Sequence, residues 1–237
     1  DGLSNHLDID LGGVKATAVT AWRQLRFRPK NDLDLTPYPV VDLGYDVDVS
    51  QFTQEVRLAS PGGGTFEWQA GAFYLHENIV SDFHQRFFTN AAKFYIGSAA
   101  NPAVLDGLTY SKRGEVGVDS GALFAQGTAR LSDRLTLTAG LRFTRESKRL
   151  DVTGRTILGP GATPDLSLGA GDLATRNGVI ANFGGVYAQT RLKDTGSYWS
   201  WLVNPSYKLG EDVLLYASVS GGAKSGAANT SANPALI

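Results

Sequence analysis

Cysteine and methionine are both missing from the 237 residues. Without cysteine there can be no disulfide, thiolate nucleophile, zinc–thiolate centre or iron–sulfur cluster. Charge of one sign is lacking too: 22 Lys and Arg balance 23 Asp and Glu, for a net charge of -1. Phosphate-backbone recognition leans on clustered positive charge, so no nucleic-acid partner is expected. No run approaches the ~18 apolar residues of a membrane-spanning helix. Barrel strands escape that test, because only every second residue need be apolar. The chain opens as DGLSNHLDIDL, with neither an initiator methionine nor a basic-then-apolar leader.

The residues present are those of a folded protein of one large or two small domains, 42% hydrophobic and 19% charged. Glycine, at 28 residues, is well above the usual ~7%. With abundant Thr, Ser and aromatics it argues against a helical chain. Period-two alternation points to strands. Leu135, Leu137, Ala139, Leu141 and Phe143 oppose Thr136, Thr138, Gly140, Arg142 and Thr144. Trp199, Trp201, Val203, Tyr207 and Leu209 oppose Ser200, Asn204, Ser206 and Lys208. Phe52, Val56 and Leu58 oppose Thr53, Glu55 and Arg57. A fourth stretch, from Phe66 to His76, behaves alike until Phe73 and Leu75 blur it. The pattern predicts eight strands over 6–11, 14–28, 51–59, 65–83, 118–131, 135–150, 197–209 and 213–222. Pro205 lacks a ladder donor and predicts a bulge or local disruption in the seventh.

Short and long connections alternate. Gly12-Gly13, SPGGG at 60–64, SDR at 132–134 and GED at 210–212 carry hairpin-turn residues. Between them lie long segments at 29–50, 84–117 and 151–196, well beyond the usual loop length. An antiparallel up-and-down meander places all short turns at one edge and all long loops at the other, as in outer-membrane barrels. The long strands and the aromatics Trp22, Phe27, Phe66, Trp68, Trp199, Trp201, Tyr207 and Tyr216 fit an interfacial girdle. The fold class expected is all-β, an antiparallel transmembrane β-barrel segment of about eight long strands. Closure on eight strands would require Arg57, Glu67, Arg130, Arg142 and Glu146 to pair across a filled interior. A soluble sandwich or barrel, its apolar row facing a core, gives the same alternation.

Residues for catalysis are not concentrated anywhere. His6, His76 and His84 lack metal-ligand spacing and suit interface or loop positions. No G-x-S-x-G elbow occurs, and SGGAKSGA near the C-terminus lacks phosphate-loop spacing. An enzyme is therefore not expected, and no catalytic, cofactor-binding or metal residue is assigned. Asp32, Asp34, Asp42, Asp46 and Asp48 in the first long loop offer oxygens that could hold calcium, or they form a solvated edge. Phe94, Tyr95, Ile96, Leu105, Leu108 and Tyr110 in the second either mark a binding surface or pack a loop cluster or short helix. Any captured ligand is expected at this loop and at 151–196.

Four stretches carry a family resemblance: FTQEVRLASP at 52–61, FEWQAGAFYLHEN at 66–78, ALFAQGTARLSDRLTLTAGLRFTRESKR at 122–149, and SWLVNPSYKLGEDVLLYASVSGGAKSG at 200–226. The chain resembles the barrel portion of TonB-dependent outer-membrane receptors, especially the alphaproteobacterial set. The resemblance implies residence in the bacterial outer membrane and contact with its lipid. It also implies import of a scarce nutrient such as an iron-siderophore, cobalamin or oligosaccharide. An inner-membrane energising complex would act through a plug. Plug, partner-binding box and the family's full strand number are not found, and the chain trails off as SGAANTSANPALI. The expectation is an internal portion of a receptor, residues 1–237 forming one partial barrel domain without a plug. The alternatives are a stand-alone eight-strand barrel with a structural or adhesive role, and a soluble β-domain binding module.

Overall fold

The computed structural model describes residues 1–159, 161–182 and 187–226, with backbone only at 187–189. Residues 160, 183–186 and 227–237, hence part of the third long loop and most of the trailing segment, lie outside the described residues. Strands β1 (Gly2–Asp10), β2 (Lys15–Phe27), β3 (Lys30–Asp32), β4 (Val41–Ala59) and β5 (Phe66–Phe87) come first. Helix α1 (Ala91–Tyr95), β6 (Leu108–Arg130), β7 (Leu135–Leu158) and helix α2 (Ala170–Asn182) follow. The chain continues through β8 (Tyr187–Lys208), β9 (Leu214–Tyr216) and β10 (Val219–Gly221).

The meander expected from the connections is present. Each long strand pairs antiparallel with the next, in the order β1-β2-β4-β5-β6-β7-β8-β10. The four short turns therefore share one edge and the long connections the other. Gly12 and Gly13 adopt φ of 74° and 112°, a conformation only glycine takes cheaply, and the Gly12 amide donates to Asp10. The SPGGG turn is held by Glu67, which accepts from the Gly63 amide and pairs with Arg130 at 3.1 Å.

Closure is where the expectation fails. Among the described residues ten strands form one open sheet: β1 pairs only with β2, β10 pairs only with β8, and no ladder joins the two ends. The expected transmembrane barrel of about eight strands is thus corrected to an open ten-strand sheet. The polar side chains agree with an open wall. Arg57 pairs with Glu55 on its own strand, Arg130 with Glu67 next door, and Glu146 with Lys148. Arg142 lies over the rings of Phe73 and Phe124. None of them reaches across an interior.

Two further strands account for the count. β3, inside the first long loop, pairs with β4. The eighth expected strand breaks into β9 and β10 at Ala217 and Ser218, and Ala217 donates to the Pro205 carbonyl. Since Pro205 has no N–H to return, the ladder is interrupted opposite it. The register shift in β7–β8 lies elsewhere, at Val152 and Gly154.

The strands also run far beyond their expected long-loop ends. β7 reaches Leu158 instead of 150, β6 starts at Leu108 instead of 118, and β8 starts at Tyr187 instead of 197. The reason is a change of phase. Along β7 the apolar residues occupy odd positions up to Phe143, then even positions at Leu150 and Val152. The backbone continues while the apolar residues switch from one face to the other.

Candidate functional site at the long-loop end

Antiparallel partners point to the same side, so the register sorts every strand residue onto one of two faces. The inner face is the one on which the long connections fold. On the outer face, Leu123 stands opposite Phe143 and Phe143 opposite Trp199. The same rows continue through Ala72, Val56, Ala18 and Leu7 on the other strands. These apolar groups are not in a dry core: Leu123 is 65% exposed, Leu141 51% and Trp199 58%. A soluble domain with this row inside is therefore not what the chain forms. From Leu135 to Phe143 the band extends roughly 26 Å along the strand at ~3.3 Å per residue, about 20 Å of height at a tilt of ~40°, somewhat less than the ~25 Å of an outer-membrane apolar belt.

All four tryptophans, Trp22, Trp68, Trp199 and Trp201, lie on that outer face. Phe66 and Tyr207 join them. Phe27 and Tyr216 do not: register with Val47 and Ser206 puts them on the inner face, and Phe27 stacks edge-on with Tyr45 at 5.8 Å.

Above the band the two faces exchange character. Outside, the rows become charged, with Asp119, Arg145, Arg149, Asp151, Arg191 and Lys193. Inside, the polar rows give way to Val118, Leu150, Val152, Tyr110 and Leu108, all buried. The only large packed cluster among the described residues forms there, from Val40, Val41, Phe87, Ala91, Ala92, Val104, Leu105 and Leu108, with Val179 and Ile180 of α2 against it. The long connections are thus roofs over the inner face, and hydrophobic burial holds them down.

Arg176 on α2 fastens this roof. It is 1% exposed, and its guanidinium donates to the carbonyls of Val104 (2.8 Å), Thr163 (2.8 Å) and Ala103, and to Asp165 (2.6 Å). A second tie runs from Asn101 to Asp172 at 2.7 Å. Arginine suits the position because its five donors are fixed in a plane and cannot be deprotonated. Nothing in the sequence singled Arg176 out, since a lone Arg on a short amphipathic helix reads as a solvated residue.

The aromatic series in the second long loop divides. Leu105, Leu108 and Tyr110 are buried, whereas Phe94, Tyr95 and Ile96 are exposed at the end of α1. Tyr95 packs edge-on with Phe87 at 6.0 Å and with Phe94 at 5.0 Å. Partial burial, and after it the Asp34 carboxylate, push the Tyr95 phenol above its usual range. The loop-cluster reading thus describes Leu105, Leu108 and Tyr110, while Phe94, Tyr95 and Ile96 stay at the surface.

The acidic series does not gather. Asp46 and Asp48 pair with Arg28, at 3.4 and 2.6 Å. Asp32 accepts from the amides of Asp34 and Leu35, and Asp34 accepts from Thr36 and from the Val41 amide. Asp42 faces Asp32 across the β3–β4 pair. No group of three or more His, Asp or Glu positioned for a metal occurs among the described residues. Of the histidines, His6 contacts Asp8 at 3.2 Å, His76 contacts Asp119 at 2.8 Å, and His84 packs over Gly44.

An open β-meander with a bare apolar belt, a polar inner wall and roofed long loops has the construction of an outer-membrane receptor wall. Residues 3–236 match the family described as TonB dependent receptor-like, beta-barrel, and the chain belongs to that family. The ferric yersiniabactin uptake receptor FyuA from Yersinia pestis is a structural neighbour at 15% identity and a TM-score of 0.62, covering 91% of this chain. The ferric-catecholate import receptor Fiu from E. coli K12 is another, at 13% identity, a TM-score of 0.54 and 92% coverage. At such identities the likeness concerns the fold alone. The chain spans 26% and 34% of those two proteins' lengths. No curated protein matches. The family is one of non-catalytic outer-membrane transport receptors, and the chain is accordingly an outer-membrane protein without an enzymatic role.

Proposed function

We propose that residues 1–237 form one domain, a portion of the wall of an energy-coupled receptor, and that its long-loop end captures a scarce nutrient. The observation that carries this reading is the roofed inner face. Loops tied by Arg176 and the apolar cluster present Phe94, Tyr95 and Ile96 to solvent, as a rigid capture surface would. An iron-siderophore is the favoured ligand class, ahead of cobalamin or an oligosaccharide. In its favour, two structural neighbours are described as ferric yersiniabactin uptake and ferric-catecholate import receptors. Family resemblance supports partnership with an inner-membrane energising complex acting through a plug. It also supports membership of the alphaproteobacterial set, on the residues 52–61, 66–78, 122–149 and 200–226.

Titration calorimetry in detergent tests the reading, using catecholate and hydroxamate ferric siderophores, cobalamin and a neutral oligosaccharide. One ferric siderophore is expected to bind best, and Phe94→Ala with Tyr95→Ala is expected to weaken it roughly tenfold. Indifference of every ligand to the aromatic substitutions would remove the capture surface from the reading.

A further inference from the structure

Just beneath the roof, the inner face of β2, β4, β5 and β6 carries a shelf of rings beside Lys112. Phe27 stacks edge-on with Tyr45 at 5.8 Å, and Phe83 stacks likewise with Tyr110 at 6.1 Å. Register places Tyr45, Phe83 and Lys112 side by side in one row across β4, β5 and β6. The Lys112 ammonium lies over the Phe83 ring, 5.8 Å from its centre. Above the row, Gln85, Phe87, Leu108 and Tyr110 are buried and close the shelf toward the loops. Lys112 stands roughly 36 Å along the strand from Leu123 in the apolar belt, about 28 Å of height at a tilt of ~40°. The shelf is therefore well clear of lipid.

Lys112 lacks a counter-charge. It is half-buried and makes no ion pair or hydrogen bond among the described residues. The acids of the neighbouring rows, Asp46, Asp82, Glu115 and Asp151, all stand on the outer face. Asp46, Asp82 and Asp151 are paired there, with Arg28, Arg113 and Arg191. On the inner face of β5 the first acid below Phe83 is Glu77, roughly 20 Å down the strand. Burial accordingly pushes the Lys112 ammonium below its usual range, with no carboxylate opposing the shift. An ammonium held partly out of water without a partner is unfavourable, so an arriving anion offsets that cost and makes a charge-assisted hydrogen bond. The rings decide which anion. Tyr45 and Phe83 offer an aromatic ligand stacking contacts that an aliphatic acid cannot make.

We propose that this shelf is a binding site for an aromatic carboxylate, its acid group on the Lys112 Nζ and its ring against Phe83 and Tyr45. The inference deepens the reading that the loop-side end captures a nutrient and rests on it. It adds that the captured nutrient presents an aromatic acid to the wall. Phe94, Tyr95 and Ile96 meet the nutrient at the surface of the roof, and the shelf holds its acid beneath.

The test titrates fluorobenzoate and fluorobenzamide, similar in shape but different in charge, against the whole receptor in a neutral detergent, followed by fluorine NMR. Fluorobenzamide is expected to bind at least roughly tenfold more weakly, the value of a hydrogen bond to a charged group. Lys112→Ala should lower fluorobenzoate to the level of the amide, and Lys112→Gln, which keeps the volume, should do the same. Lys112→Arg should rescue most of the affinity, because it restores a cationic donor. Phe83→Leu is expected to cost roughly fivefold, the value of one ring pair. Lys193→Ala, on the outer face, should change nothing. The proposal is overturned if Lys112→Ala binds fluorobenzoate as the unaltered receptor does, or if the amide binds equally well. Displacement by cyclohexanecarboxylate as effective as by benzoate would overturn the assignment to an aromatic ligand. Phe94→Ala with Tyr95→Ala should leave fluorobenzoate binding intact, so loss of the capture surface and loss of the shelf are separate results.

Discussion

Replacing Arg176 by alanine tests whether the long loops are a single fastened unit. The side chain is 1% exposed and its donors satisfy three carbonyls and one carboxylate. Asp165 is 55% exposed and can turn to water, so its loss counts little. Val104, by contrast, is buried, and its carbonyl would be left without a donor. Ala103 and Thr163 are half-buried and would be rescued in part by solvent. A buried polar group left unsatisfied costs about 1–3 kcal/mol, so the three carbonyls together imply a local loss of about 3 kcal/mol. At about 1.4 kcal/mol per factor of ten, amide exchange in 102–105 and in α2 should accelerate by roughly a hundredfold. The β6–β7 ladder beneath the apolar belt should keep its protection, because Arg176 does not touch it. Arg176→Met, which restores volume without donors, should behave like alanine. Hydrogen exchange with mass spectrometry in detergent reads both segments in one experiment. Unchanged exchange in α2, or acceleration spread equally over the strands, would refute the idea of a separately fastened roof.

Two further outcomes follow from the same structure. Because all four tryptophans share the outer face, brominated lipid should quench most of the intrinsic fluorescence while iodide quenches little; strong iodide quenching in bilayers would turn the sheet the other way round. Asp34 is held below the usual carboxylate range, chiefly by the Thr36 hydroxyl and also by the amides of Val41 and Thr36. A depressed folded pKa adds stability that is present above the unfolded value, about 3.9, and is lost as pH falls through the lower folded value. Protease cleavage within 33–40 should therefore rise only as the pH drops below about 4, and Asp34→Asn should cleave readily at neutral pH. A cleavage profile that is flat from neutral to strongly acid pH in the unaltered chain would contradict this.

Strand existence and face assignment were legible within the apolar belt, where lipid-side alternation is unbroken, as at Leu135–Phe143 and Trp199–Tyr207. The order of strands was legible too, because short and long connections alternate and a meander has one way to satisfy them. Strand ends were not. At 143–150 the apolar residues change parity as the environment on each face changes, and a period-two reading takes the change of phase for the end of the strand. The glycines of the first two turns, Gly12, Gly13 and Gly63, were read correctly because a positive φ is a local demand.

Local chemistry in this chain thus determines which residues extend, where they turn and which side of a strand is oily. Those choices depend on neighbours one or two residues away. Only the tertiary structure decides that the sheet stays open, that its inner face is roofed by two distant loops, and that Arg176 closes on carbonyls at Ala103 and Val104, more than seventy residues earlier. It also decides that Arg149 meets Lys193. Such pairings depend on register across many strands, and register is set by the summed burial of whole faces rather than by any one segment's sequence.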